Sequence, residues 1–109
     1  MKWIGALALS ICFSAHAEFK DGNNLLDDMN ASDYFSRGVA LGYVMGVSDM
    51  GQGVVHCAPP NATAGQVQDM VKNYLTNTPA ERHRSADAIV NKVLKSVWPC
   101  AARSRGNPT

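Results

Sequence analysis

The side chains of this chain that could do chemistry are its three histidines and three cysteines. His56 and His83 lie in no His-Glu-x-x-His motif or other close metal-ligand spacing, and no two cysteines form a Cys-x-x-Cys pair. Neither a Gly-x-Ser-x-Gly motif nor a phosphate-binding glycine loop occurs. We expect Asp27-Asp28 to be part of a solvated face. The sequence therefore predicts no catalytic residue, no metal ion and no cofactor, and it favours a binding protein over an enzyme.

The first 17 residues have the pattern of a secretory signal peptide. A basic start at Lys2 is followed by an uncharged apolar run of 13 residues, Trp3–Ala15, and by alanines at the two positions that signal peptidase reads. A membrane anchor is the alternative, but a helix needs roughly 20 residues to span a bilayer. Lipid attachment at Cys12 is disfavoured by the bulky isoleucine before it. We predict cleavage after Ala17, and no membrane attachment afterwards.

Export determines how the cysteines pair. Removal of residues 1–17 takes Cys12 away and leaves Cys57 and Cys100, which allow one intramolecular disulfide in an oxidising compartment. Two free thiols, or a link to another chain, are the alternatives. The chain-entropy model gives such a bridge, which closes a loop of about 44 residues, roughly 4 kcal/mol of stabilisation. That is comparable to much of the net stability of a small domain.

The mature chain carries balanced charge. The whole chain has ten Lys and Arg residues against nine Asp and Glu residues, and Lys2 leaves with the signal peptide, so 10 − 1 = 9 bases face nine acids. Nucleic-acid binding needs a basic face, and adsorption to an anionic membrane needs basic clusters. The charge therefore argues against both partners.

Apolar spacing predicts an all-α domain over residues 18–100, a small bundle of about four helices closed by one disulfide. We expect a flexible, basic tail over residues 101–109. The helices are expected over residues 24–29, 33–50, 64–76 and 85–98, and strands are not expected because no segment alternates with period two. The fourth helix has the strongest apolar stripe: Ala86, Ile89, Val90, Val93, Leu94, Val97 and Trp98.

Capping signals mark the expected helix starts. Asn23 or Asn24 is the expected cap of the first helix, and Asp33 that of the second. Thr63-x-x-Gln66 reads as a capping box for the third helix. Thr78-Pro79-Ala80-Glu81 reads as a second box, followed by a polar turn before the fourth helix.

The second helix contains a glycine stripe, which we define as Gly38, Gly42 and Gly46. Glycine costs about 1 kcal/mol relative to alanine inside a helix, so three in one register indicate the close approach of another backbone. Tight packing inside this protein is one interpretation, and a seam with a second copy is the other. Apolar residues also follow helical spacing on this helix: Phe35, Val39, Tyr43, Val47 and Met50.

Two segments are candidate partner-binding surfaces, since loops held by a scaffold are where binding residues concentrate. The first is the proline-rich loop over residues 56–62, which the disulfide would hold. The second is the turn over residues 78–84, which could face an acidic partner or be an ordinary surface turn. The expected contact residues are His56, Pro59, Pro60, Asn61, Arg82, His83 and Arg84.

An ordered set of motifs resembles the type VI secretion amidase immunity proteins of the Rap/Tai type. The resemblance covers about residues 25–100. Its motifs are Gly42-Tyr43-Val44-x-Gly46-Val47-x-Asp49, Cys57-Ala58-Pro59, Thr63-Ala64-Gly65-Gln66, Tyr74-Leu75, Pro79-x-x-Arg82-His83 and Trp98-Pro99-Cys100. Many such proteins have a further cysteine pair linking the first two helices, where this sequence has Met29 and Ala40. The resemblance thus leaves the first helix less tethered.

The resemblance implies a periplasmic, all-helical protein that is often a homodimer. Its partner would be a peptidoglycan amidase delivered by neighbouring cells, and it would occlude the amidase's cysteine–histidine site without a reaction of its own. A small periplasmic stress or chaperone-like helical protein is the alternative function, since a fold need not carry one function.

Overall fold

The computed structural model describes residues 19–101, and this part of the protein is all-α, as predicted. The elements follow in the order α1 (Gly22–Met29), α2 (Tyr34–Gly51), α3 (Ala64–Asn77), a 3-10 turn (Pro79–Glu81) and α4 (Ala86–Val97). The β-type pairs found among the described residues are two isolated bridges. The predicted signal peptide and residues 102–109 of the predicted tail lie outside the described residues. No helix between residues 19 and 101 is long and apolar enough to cross a membrane.

Helix α1 begins two residues earlier than the sequence predicts. Its N-cap is Asp21, whose Oδ1 accepts a hydrogen bond of 2.8 Å from the Asn24 backbone N–H. The predicted cap at Asn23 or Asn24 is therefore wrong, because Asn24 is the third helical residue and completes the capping box from inside the helix. The predicted apolar face is buried, with Leu25 fully enclosed.

Helix α2 is capped by Asp33, as predicted. The Asp33 Oδ2 accepts a hydrogen bond of 2.8 Å from the Ser36 N–H. This bond holds the pKa of the Asp33 carboxyl below its usual value, because it favours the charged form. The buried face of α2 runs through Ala40, Val44 and Ser48.

Helix α3 has the predicted capping box. The Gln66 N–H donates to the Thr63 hydroxyl oxygen at 3.1 Å, and the Thr63 N–H donates to the Gln66 Oε1 at 2.9 Å. The second predicted box is wrong, because Thr78 makes no side-chain capping hydrogen bond and proline begins a single 3-10 turn there. A capping box satisfies the free backbone N–H groups in the first turn of an α-helix, and a single 3-10 turn is too short to have that set of groups.

Helix α4 packs in the core, and each of the four helices contacts the other three. Its buried residues are those of the predicted stripe, from Ala86 to Leu94, while Val97 is 47% exposed. Ser85 makes no side-chain capping bond. Instead, the Ala86 N–H donates to the Lys20 carbonyl oxygen at 2.9 Å, so the segment that precedes α1 caps the last helix.

The N-terminal clip, residues 20–23, fastens α1 to the segment before α4. The Gly22 N–H donates to the Arg84 carbonyl at 3.0 Å and the Asn23 N–H to the Arg82 carbonyl at 2.9 Å. Lys20 forms an ion pair with Asp28. Backbone bonds and this pair hold α1 without a second cysteine pair. Met29 and Ala40, at the positions of that pair, are both buried in the core.

Candidate partner-binding loop

The braced loop, residues 52–62, connects α2 to α3 and begins with a tight reversal of the chain. The Gly51 carbonyl accepts hydrogen bonds from the N–H groups of Val54 at 3.0 Å and Val55 at 2.8 Å. Gly53 has a φ of +80°, a conformation that favours glycine. A Cβ on Gly51 would lie 3.1 Å from the His56 ring and 3.2 Å from the Asn91 Oδ1. The two glycines around Gln52 therefore have separate roles: Gly51 makes room for the histidine and Gly53 turns the chain.

His56 anchors the braced loop from inside the protein. Its side chain is 1% exposed, and its Nε2 lies 3.1 Å from the Ser48 carbonyl oxygen at the end of α2. The Ser48 hydroxyl in turn donates to the Val44 carbonyl at 2.7 Å. We expected His56 to contact a partner, but its burial leaves no surface for that. It is a positioning residue for the loop.

Three further contacts fix the braced loop. The Gln52 side chain bonds both backbone groups of Ala58, with its Nε2 3.0 Å from the Ala58 oxygen and its Oε1 3.2 Å from the Ala58 nitrogen. The predicted Cys57–Cys100 disulfide is present, with a Cα–Cα distance of 4.8 Å. The Cys57 N–H also donates to the Trp98 carbonyl at 2.8 Å. The loop is thus held by α2 on one side and by the end of α4 on the other.

The outer surface of the braced loop carries no charge. Pro59, Pro60 and Asn61 are exposed there, as expected for contact residues, and the Ala62 N–H closes a turn onto the Pro59 carbonyl at 3.0 Å. Val54 is also exposed, to 82%. Val54 was not among the contact residues expected from the sequence.

A groove of about 230 Å³ lies beside the braced loop, between the end of α2, the start of α3 and the end of α4. Met45 and Trp98 contribute apolar surface to it, and Asp49 is its one carboxylate. Among residues 19–101, no three His, Cys, Asp or Glu side chains gather to hold a metal ion. The groove therefore offers a partner the apolar surface of Met45 and Trp98 beside the Asp49 carboxylate.

The second candidate surface lies at the other end of α4. The 12 residues of α4 span about 18 Å, so the turn at residues 78–84 and the braced loop are not brought together. The carbonyls of Arg82 and Arg84 hold the N-terminal clip, and the Arg84 guanidinium pairs with Glu81. His83 is exposed. Arg82 and Arg84 thus have structural roles in the fold.

The glycine stripe faces outward. A Cβ built on Gly38, Gly42 or Gly46 meets no atom within 4 Å, so the expected packing inside the protein is not found in the described part of the chain. Phe35 and Met50, at the two ends of the stripe, are 80% and 84% exposed. Tyr43, on the same helix, is half-buried. Burial raises the pKa of its hydroxyl above the usual value, and the nearby Asp87 carboxylate raises it further, so the hydroxyl stays neutral.

A loop that a rigid scaffold holds in place is where binding residues concentrate in proteins. Comparison with protein families identifies the family of this chain. Residues 21–100 match the Rap1a immunity proteins. The chain therefore belongs to the Rap1a immunity protein family, which confirms the family expected from the motifs. Comparison with curated proteins finds no match.

Proposed function

We propose that this protein is a periplasmic immunity protein that binds a peptidoglycan amidase delivered by type VI secretion and occludes its active site. Membership of the Rap1a immunity family supports an immunity role. The observation that carries the mode of action is the braced loop, held by His56, Gln52 and the disulfide before any partner arrives. A protein acting by occlusion needs no reaction of its own.

The bracing supports tight binding. Ordering a flexible loop on association costs roughly 0.5–1.5 kcal/mol for each side chain immobilised, and a loop that is already fixed avoids much of this cost. The exposed Pro59 and Pro60 add to the effect because their backbones are restricted by the ring. The loop can therefore enter a cleft without first losing conformational freedom.

The proposed location follows from the same features. A disulfide persists in an oxidising compartment, and the periplasm is one. Cleavage after Ala17 would release residues 18–109, with the domain over residues 18–100 and a short basic tail. The clip residue Lys20 then lies close to the new N-terminus.

If a peptidoglycan amidase gene lies beside this one, its purified product is the probe, and the test measures binding and inhibition. We expect residues 18–109 to bind that amidase with a nanomolar dissociation constant in calorimetry, and to stop its hydrolysis of purified peptidoglycan at equimolar concentration. A turnover-deficient amidase, with its cysteine changed to alanine, should bind as well as the active enzyme. Absence of both binding and inhibition would overturn the proposal.

A chaperone-like function is the second candidate, and the exposure of Phe35, Met50 and Val54 favours it. The same purified protein distinguishes the two. Suppression of client aggregation at low pH, without binding to the amidase, would favour this second function. Amidase binding without such suppression would exclude it.

We also propose that the glycine stripe is the seam of a homodimer. A two-fold crossing centred on Gly42 would place Gly38 of one copy against Gly46 of the other, and Phe35 of one copy beside Met50 of the other. Glycine lets the backbones approach closely, and the exposed Phe35 and Met50 side chains would become buried. The stripe is thus complementary to itself.

Phe35→Asp should convert the dimer to a monomer, because it would bury two unpaired carboxylates at the seam. The matched control is Phe19→Asp, since Phe19 is 82% exposed but lies in the N-terminal segment rather than on α2. Light scattering after size exclusion checks both. A monomeric unsubstituted protein at every concentration, or a dimeric Phe35→Asp, would contradict the seam.

A further inference from the structure

The groove beside the braced loop combines an aromatic ring with a lone carboxylate. Trp98, at the end of α4, is half-buried in it, and Asp49, near the end of α2, is exposed. Asp49 is the only charged side chain that lines the groove, and it forms no ion pair with any residue from 19 to 101. An arginine side chain fits this chemistry, because a guanidinium both stacks on an aromatic face and pairs with a carboxylate.

The chain runs past residue 100 at the edge of the same groove. The Cα atoms of Cys100 and Cys57 are 4.8 Å apart, and Ala58, which follows Cys57, lines the groove. Gln52, which follows Asp49 by one helical turn, bonds the backbone of Ala58. Each step from Cys100 to Asp49 is thus a contact between neighbours, so the residues after Cys100 start at the mouth of the groove.

Residues 102–109 contain the complementary charge. They include Arg103 and Arg105 and no acidic residue. The five residues from Cys100 to Arg105 can span about 16–18 Å, which is enough to cross from α4 to α2, since packed helices lie roughly 8–10 Å apart. A segment attached next to its site is present there at an effective concentration of about millimolar, so even a weak contact is populated.

We propose that residues 102–109 bind back across the groove, with an arginine side chain of this segment lying against Trp98 and paired with Asp49. This inference goes beyond the proposed function and does not depend on it. The bound segment would cover the apolar surface of Met45 and Trp98. A partner that uses the groove must then displace the segment first.

Trp98 provides the measurement, because it is the only tryptophan in residues 18–109. Quenching of its fluorescence by acrylamide measures how far the groove is covered. Asp49→Asn should increase the quenching constant, and so should the double variant Arg103→Gln, Arg105→Gln. An exposed ion pair shifts an equilibrium by roughly 1.5- to 5-fold, and the ratio of covered to open groove should fall by that factor.

Asp69→Asn is the matched control, since it removes an exposed carboxylate of α3 that does not line the groove. It should leave the quenching constant unchanged. Asp49→Arg combined with Arg103→Asp and Arg105→Asp exchanges the charges and should restore part of the protection, which a role of these residues in folding alone would not produce. Circular dichroism checks that each variant is folded before quenching is measured.

Unchanged quenching in either neutralised variant would overturn the proposal. Protection of Trp98 that increases with protein concentration would overturn it too, because the groove would then be covered by a second copy of the chain. Protection that is independent of concentration and lost in both variants supports it. These results do not involve the amidase, so the fate of the proposed function is decided separately.

Discussion

Cys57→Ser should lower the free energy of unfolding by roughly 2–5 kcal/mol, the range for loss of a native disulfide from a small exported domain. The bridge joins residues separated by 43 positions, and without it the unfolded chain regains the conformational freedom of that loop. The native state loses little else, because the Cys57 N–H keeps its bond to the Trp98 carbonyl. The expected effect is therefore mainly on the unfolded state.

Urea unfolding of residues 18–109, followed by circular dichroism, measures this change. The double variant Cys57→Ser, Cys100→Ser is the control, since it removes the free thiol that the single variant leaves. Both should unfold at lower urea concentration than the unsubstituted protein. Cys57 is exposed, so reductant should reach the bridge in the folded protein and reproduce the effect. A melt that reductant leaves unchanged would contradict the role given to the disulfide.

The double variant also separates the effect of the disulfide on stability from its effect on how the loop is held. At a temperature where the double variant remains folded, the loop is still held by Gln52 and by His56. Its amidase affinity should fall only a few-fold, because the Cys57 N–H bond to Trp98 and the bonds of Gln52 and His56 still order most of the loop. An unchanged affinity in the folded variant would show that Gln52 and His56 are sufficient to fix the loop.

Local signals in the sequence predicted most of the helical framework. Asp33 and the Thr63–Gln66 box act within one turn of the chain, so a single sequence is enough to identify them. The pairing of Cys57 with Cys100 followed from export and counting. The capping of α4 by the Lys20 carbonyl could not be predicted, because it joins residues far apart in the chain through a backbone atom that every residue carries.

The orientation of α2 also required the structure. Its sequence is apolar on several sides, and the spacing of Phe35, Val39 and Met50 was as regular as that of the buried residues. Ala40, Val44 and Ser48 line the buried face instead, and the neighbouring helices pack against it. Apolar periodicity alone cannot distinguish a core face from a face kept for a partner.

The candidate site was predicted in part. The proline-rich loop and its disulfide were identified, but the direction in which a lone histidine points depends on tertiary packing. His56 is therefore buried against α2 instead of lying on the outer surface of the loop. The turn at residues 78–84 was selected for its charges, yet its backbone carbonyls are what the fold uses.

Gly22→Ala should destabilise the protein by about 1–3 kcal/mol, the usual cost of forcing an extra methyl into a well-packed place. A Cβ on Gly22 would lie 2.6 Å from the Ile89 Cδ1 and 2.8 Å from the Arg82 carbonyl oxygen. The Ile89 side chain can move, but the Arg82 backbone is held by the Asn23 N–H. The N-terminal clip must therefore shift, which weakens the cap that Lys20 gives to α4.

Gly42→Ala is the matched control, because it makes the same chemical change in a helix where a Cβ meets nothing within 4 Å. In the monomer it should stabilise α2 by up to about 1 kcal/mol, since alanine is the better helix former. Urea unfolding at low protein concentration should thus give opposite signs for the two variants. Equal destabilisation would mean that the glycine stripe is covered in the monomer. A Gly42→Ala variant that is stabilised as a monomer but dimerises more weakly would instead support the close approach of a second α2 at the stripe.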